Sequence, residues 1–245
     1  MLCNLIEQMK AQGVESVVVS TTSSEGDHSL LPRIERSATF YDLDSGSLMS
    51  PKMAWRFWRV LRKEKPDVVQ TWMHTSGLVI GALSRLAGVK NVVWAIHSRG
   101  LLCEHRQPCR RCSTLSRVLG VGAKLLPRRV ISCSQDGLQN HCEEMGYPES
   151  KMVWIGNGID LDRFQPRAEV RRQWREKLGI SESAPVIGMM CRLDPIKDVP
   201  NFLSAVAKMQ IERPDAHFAL CGEDLSFAGD EVRQAYEALP DKNRL

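Results

Sequence analysis

Two cations in this chain stand at a spacing that suits a diphosphate. An apolar run, Pro185 to Met190, leads through Cys191 into Arg192, and Lys197 follows before a helix pattern opens at Asp198 and Pro200. A guanidinium and an ammonium are thereby placed at the carboxyl end of a strand, beside a helix amino terminus. Open α/β sheets bind anions at such places, because free N–H groups and the helix dipole already favour negative charge. Arg192 brings a planar fork that can grip two phosphate oxygens, and Lys197 brings a point charge. His97 is the third candidate. It closes the strand-like segment Trp94-Ala-Ile-His97, where an imidazole can hydrogen-bond a hydroxyl.

The elements that must hold these groups follow from periodicity. Short valine-rich runs are predicted as strands at 17–20, 39–43, 67–72, 91–96, 129–132, 151–155, 185–190 and 216–220. Helix patterns are predicted at 2–12, 51–65, 78–87, 135–145, 168–178, 199–210 and 230–239. Strands and helices alternate throughout, which argues for parallel sheets covered on both faces. The fold class is therefore α/β. After Asn157-Gly158-Ile159-Asp160, with Arg163, Phe164 and Pro166, the alternation restarts, so two domains are expected, 1–165 and 166–245. The first opens in a helix that should follow a strand, and the second is short of strands. Both read as partial.

Composition sets limits. At 245 residues, with 43% apolar and 25% charged side chains, the chain is long enough for two modest cores. No apolar run is long enough to span a bilayer, and the amino terminus lacks the basic start of a signal peptide. The eight cysteines, scattered through an α/β pattern, read as reduced thiols in a cytosol. The net charge of +4 is carried by the first domain.

Between His97 and Val130 lie Arg99, Arg106, Arg110, Arg111, Arg117, Lys124, Arg128 and Arg129 against the single acid Glu104, interleaved with Leu115, Val118, Leu119, Leu125 and Leu126. Helix 51–65 adds Arg56, Arg59, Arg62 and Lys63, with Trp55 off its apolar face. Such a surface suits anionic headgroups, or else is a solvated basic face. Nucleic acid is not expected, since no interleaved aromatics or recognition motif accompany the charge. Cys103, Cys109 and Cys112 with His105 invite a zinc reading, but a second cysteine pair is missing, and a loop of thiols is the plainer reading. His74 follows another strand and either faces the same side as His97 or is a satisfied loop histidine.

Five segments occur together in order: Pro66-Asp67-Val-Val, Trp94-Ala-Ile-His97, Val130-Ile-Ser132-Cys-Ser134, Asn157-Gly158-Ile-Asp160 with Phe164 and Pro166, and Arg192-Leu193-Asp-Pro-Ile-Lys197-Asp198. This set resembles the retaining GT-B glycosyltransferases of glycosyltransferase family four. The resemblance implies two Rossmann-like domains facing across a cleft, the second incomplete. The first would hold a lipid-linked or glycan acceptor and the second a nucleotide-diphosphate sugar. Arg192 and Lys197 would bind the donor diphosphate, with Gly188 and Gly222 beside them, and His97 would reach a sugar hydroxyl. It further implies metal independence, with cations in place of magnesium. The basic surface described above adds the expectation of peripheral attachment to the inner face of the plasma membrane. The family's glycine-rich turn and its pair of spaced glutamates are not found within the chain, so a catalytically incompetent remnant is the alternative. A nucleotide-sugar epimerase of the same build is another.

Overall fold

The computed structural model describes residues 1–21, 29–98, 100, 110–222 and 229–244, and it separates into two compact units, Met1–Arg163 and Phe164–Leu245. In the first unit the order is α1 (Leu2–Ala11), β1 (Val17–Ser20), α2 (Leu31–Glu35), β2 (Thr39–Asp42), α3 (Pro51–Glu64) and β3 (Val68–Trp72). It continues with α4 (His74–Leu86), β4 (Asn91–Ile96), α5 (Arg110–Leu125), β5 (Arg129–Ser132), α6 (Gln135–Met145) and β6 (Met152–Trp154). The second unit holds α7 (Ala168–Lys177), β7 (Val186–Met190), α8 (Val199–Glu212), β8 (His217–Cys221) and α9 (Asp230–Glu237).

Every strand pairing is parallel: β1 with β2, β3-β4-β5-β6 in sequence, and β7 with β8. Parallel order requires a helix at each crossover, which is what the alternation anticipates. The inner edges of β1 and β3 do not pair with each other. Val17–Val19 and Val68–Trp72 instead line one groove, closed below by Phe57, Leu61 and Ile80.

Local signals fix the element ends. Ser50 caps α3, its hydroxyl accepting the Met53 N–H at 3.0 Å, and Pro51 supplies a preset first turn. Met53, Phe57, Val60 and Leu61 then fall on one buried face. Ser134 caps α6 in the same way, and Gly146 ends it in the left-handed conformation. The predicted start of α4 at Leu78 is too late. Met73 takes φ 73 directly after β3 and donates its N–H to the Ala95 carbonyl, so the chain turns at once and the helix opens at His74.

The core of unit 1 is built around Trp94, which packs with Val92, Ile96, Leu119, Ala123 and Val130. Room for its indole comes from glycines on the flanking helices. A Cβ added at Gly77 or Gly81 would fall 2.9 or 2.8 Å from the ring, and one at Gly122 would fall 3.1 Å away. Helix α5 therefore divides the apolar stripe proposed for a membrane. Leu119 belongs to the core, while Leu115, Val118 and Leu125 face outward. Unit 2 has its own core, in which Val199, Leu203 and Val206 of α8 meet Phe218, Val232 and Leu239. Arg175, buried in α7, is satisfied by donating to the Ser181 and Ala184 carbonyls.

Candidate functional site

In unit 1 the polar groups collect at the carboxyl ends of β3 to β6. Trp72 is the last residue of β3, and His97 is the first beyond β4. Their rings stack face to face, 4.6 Å between centroids and 8° between planes. Both ring nitrogens of His97 are buried and meet no hydrogen-bond partner among the described residues. Leaving such an atom unpaired costs on the order of 1–3 kcal/mol, which is why it is rare without a purpose. Burial, and then the positive amino terminus, lower the His97 pKa. At neutral pH the ring is uncharged and offers one donor and one acceptor.

Around this pair lies a cavity of about 800 Å³. The loop that leaves β6, including Asn157, Gly158, Ile159 and Asp160, lines it together with His97. Two motifs far apart in sequence thus meet in one place. Across from them, Arg33 grips Glu7 through two hydrogen bonds of 2.6 Å and donates a third, also 2.6 Å, to the Asn4 amide oxygen. The Arg33 hydrogen bonds hold the Glu7 carboxyl below its usual range. Trp72 and the Glu7–Arg33 pair were not identified from sequence. Trp72 ends its strand as His97 ends the next, and that shared position was the available signal. Nothing in spacing links Glu7 to Arg33.

His74 resolves as a satisfied buried residue. Its Nε2 lies 2.8 Å from the Ser98 hydroxyl and its Nδ1 3.4 Å from the Tyr147 hydroxyl. His141 stacks on it at 5.0 Å. Burial first, then the neighbouring His141, bring the His74 pKa down to about 4.

In unit 2 the backbone ladder runs one residue past β7, with the Cys191 N–H donating to the Cys221 carbonyl at 2.9 Å. Arg192 comes next, its side chain 76% exposed and its Nη2 3.1 Å from Asp194 Oδ2. Asp194 also accepts the Ile196 N–H at 3.0 Å and so caps a single 3₁₀ turn, Pro195–Lys197. That N–H, and then Arg192, keep its carboxyl below the ordinary range. Lys197 is exposed at the end of this turn. Asp198 then takes φ 54 and α8 begins with Pro200 in its first turn. Gly222 directly follows β8, on the same strand-end side as Arg192. Gly188 instead sits inside β7, in register with Ala219. A Cβ added there would lie 3.5 Å from the Ala219 carbonyl, an ordinary contact.

Among the described residues no three His, Cys, Asp or Glu side chains come together to hold a metal ion. Asp42-Leu43-Asp44 does place an Asp-x-Asp pair at the end of β2. There Asp42 accepts the Asp44 N–H at 2.9 Å, which is a local turn. Cys103, Cys109, His105 and the Cys112 side chain, which the zinc reading needs, lie outside what is described.

The sequence pattern of Glycosyltransferase Family 4 matches residues 1–163, the whole of unit 1 with its cavity. The chain belongs to this family. Among its relatives is the UDP-Gal:alpha-D-GlcNAc-diphosphoundecaprenol alpha-1,3-galactosyltransferase of Escherichia coli, 28% identical over 169 residues, covering 68% of this chain and 43% of that protein. Another is the GDP-mannose-dependent alpha-(1-6)-phosphatidylinositol monomannoside mannosyltransferase of Mycolicibacterium smegmatis, 24% identical over 181 residues, covering 71% of this chain and 44% of that protein. The chain spans about half the length of the curated relatives it matches. Anabaena Alr3699/HepE, solved in complex with UDP-glucose, superposes with a TM-score of 0.73 at 20% identity, over 99% of this chain and 63% of that one. The fold of this family member is thus GT-B, with two parallel α/β units, the second holding two strands among the described residues.

Proposed function

We propose that this protein is a retaining hexosyl-type glycosyltransferase. It would move a sugar from a nucleotide-diphosphate donor to a lipid-linked or polysaccharide acceptor in cell-surface glycan synthesis. The observation that carries this reading is the family match over the unit in which His97 and the Asn157–Asp160 loop share one cavity.

The physical case runs through charge. Breaking the bond between sugar and phosphate leaves negative charge on the departing diphosphate. Cations already in place stabilise that charge more than they stabilise the bound donor, and only such differential binding raises the rate. Arg192 and Lys197, at a strand end before α8, are the groups for this task, and Gly222, which follows the neighbouring strand β8, would let the backbone approach a phosphate. With two cations doing this work the reaction needs no magnesium. His97, which lines the cavity and is neutral, would bind a hydroxyl of the transferred sugar through its backbone or through its ring, whose buried nitrogens would have to open to the cavity.

Relatives that act, by name, on diphosphoundecaprenol and phosphatidylinositol mannoside support a lipid-linked acceptor. A lipid acceptor implies work at an anionic membrane surface, peripherally and from the cytoplasmic side. Helix α3 favours such contact. Its Trp55 and Trp58 are 56% and 47% exposed, with Arg59 and Arg62 stacked over them. No described helix is long and apolar enough to cross a membrane. The epimerase alternative has structural company in the UDP-GlcNAc 2-epimerase of Neisseria meningitidis, with a TM-score of 0.56 at 15% identity. The family match favours the transferase.

Calorimetric titration of the full-length protein with UDP, GDP and ADP, beside Arg192→Ala and Lys197→Ala, tests the donor site. Each variant should weaken binding of the preferred diphosphate at least tenfold and lower turnover by on the order of a hundredfold. Undiminished affinity in both would place the diphosphate elsewhere.

A further inference from the structure

We propose that His74 is a positioning residue: its buried imidazole, hydrogen-bonded to Ser98, fixes the short segment that carries His97 into the cavity. This rests on the reading of His97 as a substrate-binding group.

β4 ends at Ile96, and the chain leaves the sheet through His97 and Ser98 before the helical cover resumes. Neither residue belongs to a strand ladder among the described residues, so side-chain contacts bear on their conformation. One anchor is the stack of His97 on Trp72. The other is Ser98, whose hydroxyl lies 2.8 Å from His74 Nε2. His74 itself is held by the turn at Met73, whose N–H is tied back to the Ala95 carbonyl at 2.9 Å. Adjacent residues at the end of β4 are thus gripped by residues at the end of β3 and the start of α4.

The protons can be assigned from donors and acceptors. His141 Nδ1 faces the Gly137 carbonyl, which only accepts, so Nδ1 carries the hydrogen and Nε2 carries a lone pair. That lone pair lies 3.5 Å from His74 Nε2. If His74 Nε2 bears its hydrogen, it donates to Ser98 Oγ and also faces the His141 lone pair. His74 Nδ1 is then free to accept from the Tyr147 hydroxyl, 3.4 Å away. In this arrangement each donor points at an acceptor. The other tautomer sets two lone pairs against each other at Nε2 and leaves the Tyr147 hydroxyl to act as acceptor. The surrounding wall is tight as well. A Cβ at Gly137 would fall 3.5 Å from the Ser98 carbonyl, and one at Gly100 would fall 3.0 Å from the Asn140 amide nitrogen. The first turns of α6 thus lie close to Ser98 and Gly100.

Three variants separate positioning from bulk stability. Ser98→Ala deletes the acceptor and leaves the buried rings alone. His74→Phe deletes the donor, and His74→Gln restores an N–H close to where Nε2 stands. The first readout is the Cε1–H resonance of His97 in a carbon–proton NMR spectrum of the folded protein, which needs no turnover. Ser98→Ala and His74→Phe should both shift or broaden it, and His74→Gln should bring it back towards the wild type. The second readout is turnover of the full-length enzyme. Ser98→Ala and His74→Phe should lower kcat about tenfold with little change in donor KM, and the double variant should lose no more than either single one. A His97 resonance unmoved in both Ser98→Ala and His74→Phe overturns the proposal, as does full additivity of the two substitutions. If His97→Ala leaves turnover intact while the resonance responds as expected, the failure lies with the role given to His97 and not with its positioning. Should His74→Phe not fold, Ser98→Ala and His74→Gln still decide the outcome.

Discussion

The imidazole of His97 lies flat on the indole of Trp72, with 4.6 Å between ring centroids. The contact joins the carboxyl ends of neighbouring parallel strands and orients a ring whose nitrogens have no other partner among the described residues. An aromatic contact of this kind contributes about 0.5–1.5 kcal/mol beyond the area it buries. Trp72→Ala in the full-length enzyme should therefore reduce kcat/KM about two- to tenfold, and Trp72→Phe should keep most of the activity. Steady-state transfer kinetics check this. Equal losses in the two variants would mean that the flat contact is not what matters.

The paired histidines give stability a pH dependence with a definite sign. Burial lowers the pKa of both His74, to about 4, and His141, so the folded protein resists their protonation. The unfolded chain takes up those protons near the ordinary histidine value of about 6.5. This contribution is thus fully present above pH 6.5 and is lost as pH falls towards 4. For His74 alone the loss by pH 5 is about 2 kcal/mol. The hydrogen bond from His141 to the Gly137 carbonyl, and then the charge of Glu144, offset part of the effect, since both favour protonated His141. Urea unfolding at pH 7.5 and 5.0 measures the slope, and His74→Phe should flatten it. A slope of the same size in that variant would assign the effect to other groups.

The glycines around Trp94 carry a prediction about packing alone. A methyl group at Gly81 would fall 2.8 Å from the indole nitrogen, too close for any real contact. Gly81→Ala should destabilise unit 1 by about 1–3 kcal/mol, the usual cost of overpacking a core. Pairing it with Trp94→Phe makes room, so the double variant should be more stable than the sum of the single losses implies. Chemical denaturation of the four proteins closes the cycle.

Much of this was legible in the sequence because the relevant forces are local. Strand and helix order came through, since valine runs and apolar helix faces are set by burial on a fixed period. The strand-end positions of His97 and Arg192 followed from that order. Gly188, read as part of the anion site, lies inside β7 in register with Ala219 rather than at the strand end, a placement that needs the exact strand bounds. His74 was ambiguous because its satisfaction depends on Ser98, Tyr147 and His141, three residues that only tertiary structure brings to it. Arg33 and Glu7 were silent for the same reason. The apolar stripe of α5 was misjudged in part, since Leu119 has the same chemistry whether it faces Trp94 or solvent.

The open edges of β1 and β3 should be visible in hydrogen exchange. Each strand pairs on one side only, while β4 is paired on both by β3 and β5. Backbone groups on an unpaired edge are exposed to solvent unless something covers them. The amides of Val17–Val19 and Val68–Val69 should therefore exchange as a set faster than those of Val92–Ile96. Mass spectrometry after short deuterium pulses resolves these peptides. Equal protection would show that the groove they line is filled in solution.

Helix α3 bears on the membrane contact proposed for this protein. Its outward face carries Trp55 with Arg59 stacked 4.8 Å over the ring, and Trp58 with Arg62 at 5.5 Å. The indoles can enter the interfacial zone of a bilayer, where one side of the ring is apolar and the other wet, while each guanidinium meets a headgroup phosphate. Full-length protein should float with vesicles of phosphatidylglycerol and phosphatidylcholine at low ionic strength, and much less with phosphatidylcholine alone. Raising the salt to about 0.5 M should release it, because surface electrostatics is screened over a few ångströms there. Replacing both indoles, Trp55→Ser with Trp58→Ser, should weaken binding even at low salt, since headgroup attraction alone would lack its apolar partner. Binding that survives both salt and these substitutions would move the membrane face to another part of the surface, the outward residues Leu115, Val118 and Leu125 of α5 first among them.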